Sequence, residues 1–250
     1  MKILTVTNQK GGVGKTTLAF HLSVSIAESG HKVLAVDMDP QGNLTYTFQE
    51  ELPESAHVYK LFEGEQPIPH KLTYGPGDTP GDLYLIGSDI RLSRFETDTR
   101  FENFYRLKKF LHELDFDYAV VDTPPSLGLF TANSLVAATH VIVPMDVSVF
   151  SALGLEDLLE TLQKISDYAN TNPKLVGIVI MGQMGRTTMG QTVANSLKEQ
   201  YGDLILGEIS HSIKVREAVS LGKPIWRHAP GHKVANEFKN IISKIMENVK

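Results

Sequence analysis

A chain of 250 residues, 42% of them hydrophobic and 21% charged, can bury a full core and fold as a single α/β domain over 1–250. It contains no cysteine, which excludes disulfides and any thiolate-held metal or iron–sulfur cluster. The net charge of −5 argues against a polyanionic partner, yet residues 1–170 hold 13 Lys and Arg against 23 Asp and Glu while residues 171–250 hold 11 against 6, so an acidic body with a basic face is expected.

In chain order, short β-branched runs alternate with longer periodic segments. Strands are predicted at Lys2–Thr7, Lys32–Asp37, Leu83–Ile86, Tyr118–Asp122, His140–Met145, Leu175–Met181 and Leu204–Ile209. Helices are predicted at Thr16–Ser29, Asn103–Leu114, Leu153–Ala169, Thr188–Tyr201 and His232–Val249, the first and fourth closed by Gly30 and Gly202. This alternation implies a doubly wound, mostly parallel sheet with helices on both faces. Residues 49–82, rich in proline and glycine, read as a loop-dominated surface excursion with one short helix near Val58–Phe62, the alternative being a partner surface near the nucleotide side. No apolar run is long enough to span a bilayer, and Met1–Thr7 reads as a strand rather than a signal peptide, so a cytoplasmic location is expected. The pair His228 and His232 has helical spacing but Pro230 and Gly231 intervene, so it reads as a surface pair rather than a metal site.

The first strand runs directly into Lys10-Gly11-Gly12-Val13-Gly14-Lys15-Thr16-Thr17. The general phosphate-loop pattern G-x-x-x-x-G-K-[ST] asks for glycine where this chain has Gln9, but the chemistry survives: the glycines let backbone N–H groups wrap a triphosphate. Lys15 is placed to reach the β and γ phosphates, Thr16 to ligate Mg²⁺, and the helix that follows to offer its positive end. After the second strand comes Asp37-Met38-Asp39-Pro40-Gln41-Gly42-Asn43, two carboxylates at i and i+2. Asp37 is expected near the metal and Asp39 at the attacking water, although Asp-Pro and Gln-Gly are also ordinary turn chemistry. Ala119–Asp122 reads as a buried strand ending in a carboxylate that holds Mg²⁺, with Thr123-Pro124-Pro125-Ser126 stiffening the segment after it.

The loop resembles the deviant Walker A motif K-G-G-x-G-K-[ST]-T of the ParA/MinD family of ATPases, and D-x-D-P-Q-G-N and D-T-P-P resemble switch segments of its Soj-like ParA members. The resemblance continues through Ala132-Asn133-Ser134-Leu135, Pro144 and Gly222-Lys223-Pro224. It implies that Lys10 reaches the nucleotide of a second subunit, making ATP the glue of a homodimer, and that Asp39 is needed for hydrolysis. It also implies purine contacts near Met181, Gln183 and Ser210 and non-specific DNA contacts at Arg186 and Lys214, with Lys198, Arg216, Lys223 and Arg227 extending that patch. A ParB-like adaptor that stimulates hydrolysis, and a position over the nucleoid, follow from the same resemblance. The chain departs from it at Ile209-Ser210-His211-Ser212, where Soj-like proteins read I-P-R-N. Cluster-binding and metalloid-pumping relatives of the loop are excluded by the missing thiolates. A MinD-like membrane-cycling ATPase is the rival reading, because Phe238, Ile241, Ile242, Ile245 and Val249 form one face of the last helix; that face is expected to pack on the domain instead.

Overall fold

The computed structural model describes residues 1–73, 82–146, 149–169, 171–182 and 188–249. In chain order the elements are β1 (Lys2–Val6), α1 (Lys15–Glu28), β2 (Val33–Asp37), α2 (Asn43–Phe48), α3 (Tyr59–Glu63), β3 (His70–Lys71), β4 (Leu83–Ile86), α4 (Arg106–His112) and β5 (Tyr118–Asp122). They continue with α5 (Leu129–Ala137), β6 (His140–Met145), α6 (Val149–Ala169), β7 (Lys174–Met181), α7 (Thr188–Tyr201), β8 (Ile205–Ile209), α8 (Ile213–Ser220), α9 (Ile225–His228) and α10 (Lys233–Asn248). The sheet order is β3-β4-β2-β5-β1-β6-β7-β8, and every pairing is parallel except that of the short edge strand β3 with β4. From β1 the chain first builds outward through β2 and β4, then returns through β5 and crosses to β6. The C-terminal ends of β1, β5 and β6 therefore border the crevice where the winding reverses.

Period-two alternation divides the core. Leu4, Val6, Val33, Ala35, Leu85 and Val120 pack on the face covered by α1 and α10, while Ile3, Leu34, Val36, Ile86, Ala119 and Val121 pack on the face covered by α3, α4 and α5. A third cluster continues that second face beyond β1, joining Val141, Val143, Ile178 and Ile180 to Leu155, Leu158 and Leu162 of α6. The apolar stripe of the last helix is spent in this core: Phe238, Ile241, Ile242, Ile245 and Val249 are at most 3% exposed. Among the described residues no helix is long and apolar enough to cross a membrane.

Two expectations change. Residues 49–73 are not a surface excursion, since Ala56, Val58, Tyr59, Leu61, Phe62 and Leu72 are buried core. Helix α4 starts at Arg106 rather than Asn103, preceded by a 3₁₀ turn at Phe101–Tyr105. The cause is the fully buried Asn133 of α5, whose Oδ1 accepts from Leu107 N–H at 2.9 Å and whose amide donates to the Asn103 carbonyl, replacing the helical bond those two groups would make. His228 and His232 do not form a metal site: His228 faces Glu217 at 3.2 Å, and His232 Nδ1 caps α10 through Val234 N–H.

Candidate functional site

The register sets the site. Asp37 ends β2 directly opposite Asp122 at the end of β5, and by strand parity both side chains point to the α1 face. Both are fully buried. Asp37 accepts three hydrogen bonds from its own chain: Oδ1 accepts from Asp39 N–H at 3.1 Å, and Oδ2 accepts from Thr45 N–H at 2.9 Å and Thr45 Oγ1 at 2.8 Å. Burial raises its pKa, and the Thr45 bonds pull it back. Asp37 thus pins the first turn of α2 to β2, at the position beside Asp122 where the sequence analysis expected it near the metal.

Asp122 differs. Its Oδ2 accepts from Thr16 Oγ1 at 2.6 Å, while its Oδ1 is buried with no hydrogen-bond partner among the described residues. Burial and the neighbouring Asp37 push its pKa well above the usual carboxylate range, against the pull of Thr16 and Lys15. An orphaned carboxylate oxygen beside a threonine hydroxyl is a hard-oxygen donor pair suited to Mg²⁺. The residues present fit the ion, with Thr16 and Asp122 as the side chains that would hold it.

Between Val6 and α1 the backbone makes a concave turn in which Gly12 and Gly14 adopt φ of 76° and 85°, values that side chains bearing a Cβ rarely take. At Gly14 a Cβ would also lie 2.7 Å from Met181 Cε. Gly14 caps α1 without any side-chain bond, and the first turn carries no acidic residue, so the helix N–H groups are left for an anion. Val13 is buried beneath the turn, whereas Gly11 and Gly12 are exposed. Lys15 is 7% exposed, its Nζ donating to the Lys10 carbonyl at 3.0 Å. Burial lowers its pKa, and the charges of Asp122 and Asp39 draw it back up. Asp39 is 7% exposed and close enough to act on Lys15, with Oδ1 accepting from Gln41 N–H at 2.9 Å.

Lys10 stands apart from Lys15. Its side chain is 42% exposed, and its Nζ lies 2.6 Å from Asp146 Oδ2 at the end of β6. Asn8 braces the same turn, accepting from Lys10 N–H and donating to the Pro144 carbonyl. Sequence reasoning missed Asp146, Asn8 and Thr45; only the rule that ligands gather at strand C-termini pointed toward Asp146.

The remaining expected residues divide. Thr17 belongs to α1 and also lines a cleft of about 300 Å³ shared with Asn43, Tyr46 and Arg216. Met181 ends β7 and packs against the phosphate loop at Gly14. Ser210 is engaged elsewhere: its N–H and Oγ both donate to Glu237, at 2.7 and 2.9 Å, fastening the loop after β8 to α10. Gln183 and Arg186 lie outside the described residues. Lys214 is half exposed and pairs with Glu217 on its own helix at 2.8 Å. The predicted residues Lys10–Thr16, Asp39 and Asp122 thus gather at the C-terminal ends of β1, β2 and β5, Thr17 also faces the cleft beside α2, and Lys214 and Arg216 lie on α8.

A family described as an AAA domain matches residues 1–176. The chain is 33% identical to the chromosome-partitioning ATPase Soj of Thermus thermophilus, over 98% of this chain and 96% of that protein. Apo McdA of Cyanothece shares its fold, with a TM-score of 0.86 at 23% identity and full coverage of both chains. A plasmid partition protein of Borrelia burgdorferi bound to AMPPNP superposes with a TM-score of 0.81 at 26% identity, covering 98% of each. The two-lysine phosphate loop, the Thr16–Asp122 pair and this near full-length likeness agree: the chain belongs to the ParA/MinD family of P-loop ATPases, with Soj partition proteins among its relatives.

Proposed function

We propose that this chain is an ATP-driven positioning switch, which binds ATP with Mg²⁺, dimerises around the nucleotide, holds DNA without sequence preference in that state and is released by hydrolysis. The observation that carries the reading is the separation of the two loop lysines, Lys15 folded inward and Lys10 at the exposed rim. Lys15 and the uncapped end of α1 offset the charge of the β and γ phosphates. Thr16 and Asp122 would hold Mg²⁺, which when bound would supply charge that offsets the negative charge of the phosphates. Asp39 sits on the loop between β2 and α2, where its carboxylate can orient the attacking water.

Lys10 supplies charge to the other subunit. Two triphosphates face to face concentrate negative charge, and an ammonium reaching across offsets it. Its contact with Asp146 is half exposed and therefore weak in water, so a phosphate can replace it. Arg186, Lys214 and Arg216 are the proposed phosphate contacts to DNA, and an adaptor protein accelerates hydrolysis, setting where cargo is held over the nucleoid. The membrane-cycling alternative loses its support, because the apolar face of α10 is already buried.

Calorimetry paired with size-exclusion chromatography tests the division of labour. Lys15→Ala is expected to abolish ATP binding. Lys10→Ala is expected to keep ATP affinity within about threefold while losing the ATP-dependent dimer, a change well under the factor of ten that about 1.4 kcal/mol represents. Equal loss of both properties in both variants removes the in-trans role.

A further inference from the structure

On the sheet face covered by α4, α5 and α6, an apolar cleft of about 300 Å³ lies between Phe101, Phe104, Tyr105, Val136, Ile165 and Tyr168. Phe101 and Tyr168 are 74% and 86% exposed, the two most exposed large apolar side chains among the described residues. Phe101 leans on Tyr105, with ring centroids 5.1 Å apart. The polar groups that α6 brings to the cleft are already used: Thr161 Oγ1 donates to the Asp157 carbonyl at 2.8 Å, and Lys164 pairs with Glu160 at 2.6 Å. What the cleft offers is apolar surface, and leaving these rings in water is unfavourable in proportion to the area they expose. Tyr105 also opens onto a second hollow, of about 430 Å³, lined by Lys108, Lys109 and His112 of α4 and by Glu113 after it. Glu113 is engaged by Gln66, whose amide donates to it. Neither Lys108 nor Lys109 has a carboxylate within ion-pair distance among the described residues, so the hollow is cationic.

We infer that the cleft and the hollow together seat an acidic amphipathic helix of a partner protein. Apolar side chains on one face of that helix cover Phe101 and Tyr168 and fill the cleft, while carboxylates one to two turns along it, roughly 5–10 Å away, meet Lys108 and Lys109. The helical form follows from the spacing. Tyr105, the lysine pair and His112 mark successive turns along one face of α4, so a helix laid beside α4 keeps its apolar and acidic groups in step with them. Nucleic acid or an anionic bilayer spreads negative charge over the whole patch and is repelled by the exposed Glu102, Glu113, Glu160 and Asp167. A helix places carboxylates only where the lysines stand. Helix α8 packs through Val215 and Ala218 on the other face of the sheet, so an occupant on α4 leaves Lys214 and Arg216 uncovered.

The test uses the full chain without nucleotide and three dye-labelled helical peptides: one with leucines on one face and glutamates a turn away, one with those glutamates replaced by lysine, and one with the leucines replaced by alanine. Anisotropy is expected to show the first peptide binding at least about fivefold tighter than either of the others. Tyr168→Ala is expected to weaken that peptide by about fivefold or more. The chain carrying both Lys108→Glu and Lys109→Glu is expected to reverse its preference and take the lysine peptide. ATP affinity is expected to stay unchanged in both variants, which shows that they are folded. Amide shifts on adding the first peptide are expected at Phe101, Lys108 and Tyr168. Absence of binding up to about 1 mM, the weak end of specific association, overturns the proposal. Equal affinity for the acidic and lysine peptides, equal affinity for the leucine and alanine peptides, or parent-like binding by either variant overturns it as well. So does displacement of the bound peptide by a DNA duplex or by phosphatidylglycerol vesicles, which would make the face a polyanion site. Peptide binding is read without ATP, so it stands or falls separately from the Lys10 and Lys15 experiments.

Discussion

Asp37 and Asp122 are adjacent buried carboxylates, a juxtaposition that disfavours the folded chain unless a cation is nearby. Asp37 cannot be spared, since three donors from Thr45 and Asp39 depend on it. Asp122 carries the functional cost, with one oxygen on Thr16 and the other unpaired among the described residues. Asp122→Asn is therefore expected to raise the stability of the nucleotide-free chain, by about 1–2 kcal/mol, and to lower Mg²⁺-dependent ATP affinity more than tenfold. Thermal melts and calorimetry with and without Mg²⁺ check both signs; a less stable apo variant would mean that the pair is not repulsive. Asp39, the residue proposed to orient the attacking water, has Gln41 N–H as its side chain's one hydrogen-bond partner among the described residues. Asp39→Ala should bind ATP and dimerise but turn over at least tenfold more slowly, visible as a dimer that persists for hours in chromatography. Turnover at the parent rate would reduce Asp39 to a turn residue.

At the scale of elements, α1 links the phosphate loop to the C-terminal helices through His21. This ring is fully buried, stacks on Phe238 at 4.2 Å between centroids, and bridges two segments of the chain: Ile225 N–H donates to Nε2, so Nδ1 carries the proton that it donates to the Thr17 carbonyl. Burial lowers its pKa to about 4, with the Thr17 bond opposing. Between pH 6.5 and 4 the unfolded chain binds the extra proton, so the stability contributed by neutral His21 is present above pH 6.5 and is lost as pH falls toward 4. It amounts to roughly 3 kcal/mol. Urea denaturation of the parent and His21→Leu chains across this range should show their stability difference shifting against the parent as pH falls. The carboxylates are common to both chains and cancel; a pH-independent difference would contradict the buried neutral imidazole. The other joint is at α2, which ends on Gln49, a non-glycine residue at φ 55° whose amide donates to the Ser220 carbonyl at the end of α8. The helix that follows Asp39 is thus tied to the helix that carries Lys214 and Arg216.

Over the whole molecule, the basic C-terminal third is less basic in three dimensions than in one. Arg227 pairs with Glu28 at 2.7 Å, Lys233 with Glu237 at 3.1 Å and Lys214 with Glu217 at 2.8 Å, so a single subunit offers DNA a limited cationic face. The proposed ATP-bound dimer would double the phosphate contacts on one object, and the salt dependence of binding grows with their number. The ATP-bound form should therefore show a steeper dependence of log K on log[salt] than the nucleotide-free form. Arg216→Ala should flatten the slope by about two for a symmetric dimer while leaving ATP affinity and dimerisation intact. Filter binding on two unrelated duplexes decides it: an unchanged slope, or preference for one duplex, would place the DNA surface elsewhere.

Seven of the eight strands and the phosphate loop were legible in the chain because their signals are local; the two-residue edge strand β3 was too short to show one. A buried parallel strand must be a short apolar run, so all seven predicted strands lie within one residue of their observed bounds. Glycine spacing and two lysines likewise carry the loop's chemistry without any long-range information. Helices α2, α5, α8 and α9 were not legible, since four to nine residues give too few turns for a periodic stripe, and α5 is buried on nearly every side. The start of α4 was hidden for another reason: the bonds that displace it come from Asn133, 26 residues away from Leu107. Tertiary structure alone decided that Asp37 would be consumed by Thr45 while Asp122 kept an open oxygen, and that Lys10 would meet Asp146 across 136 residues. A carboxylate's type and spacing are written in the sequence, but which donors reach it depends on strand register and on the packing of helices far away in the chain.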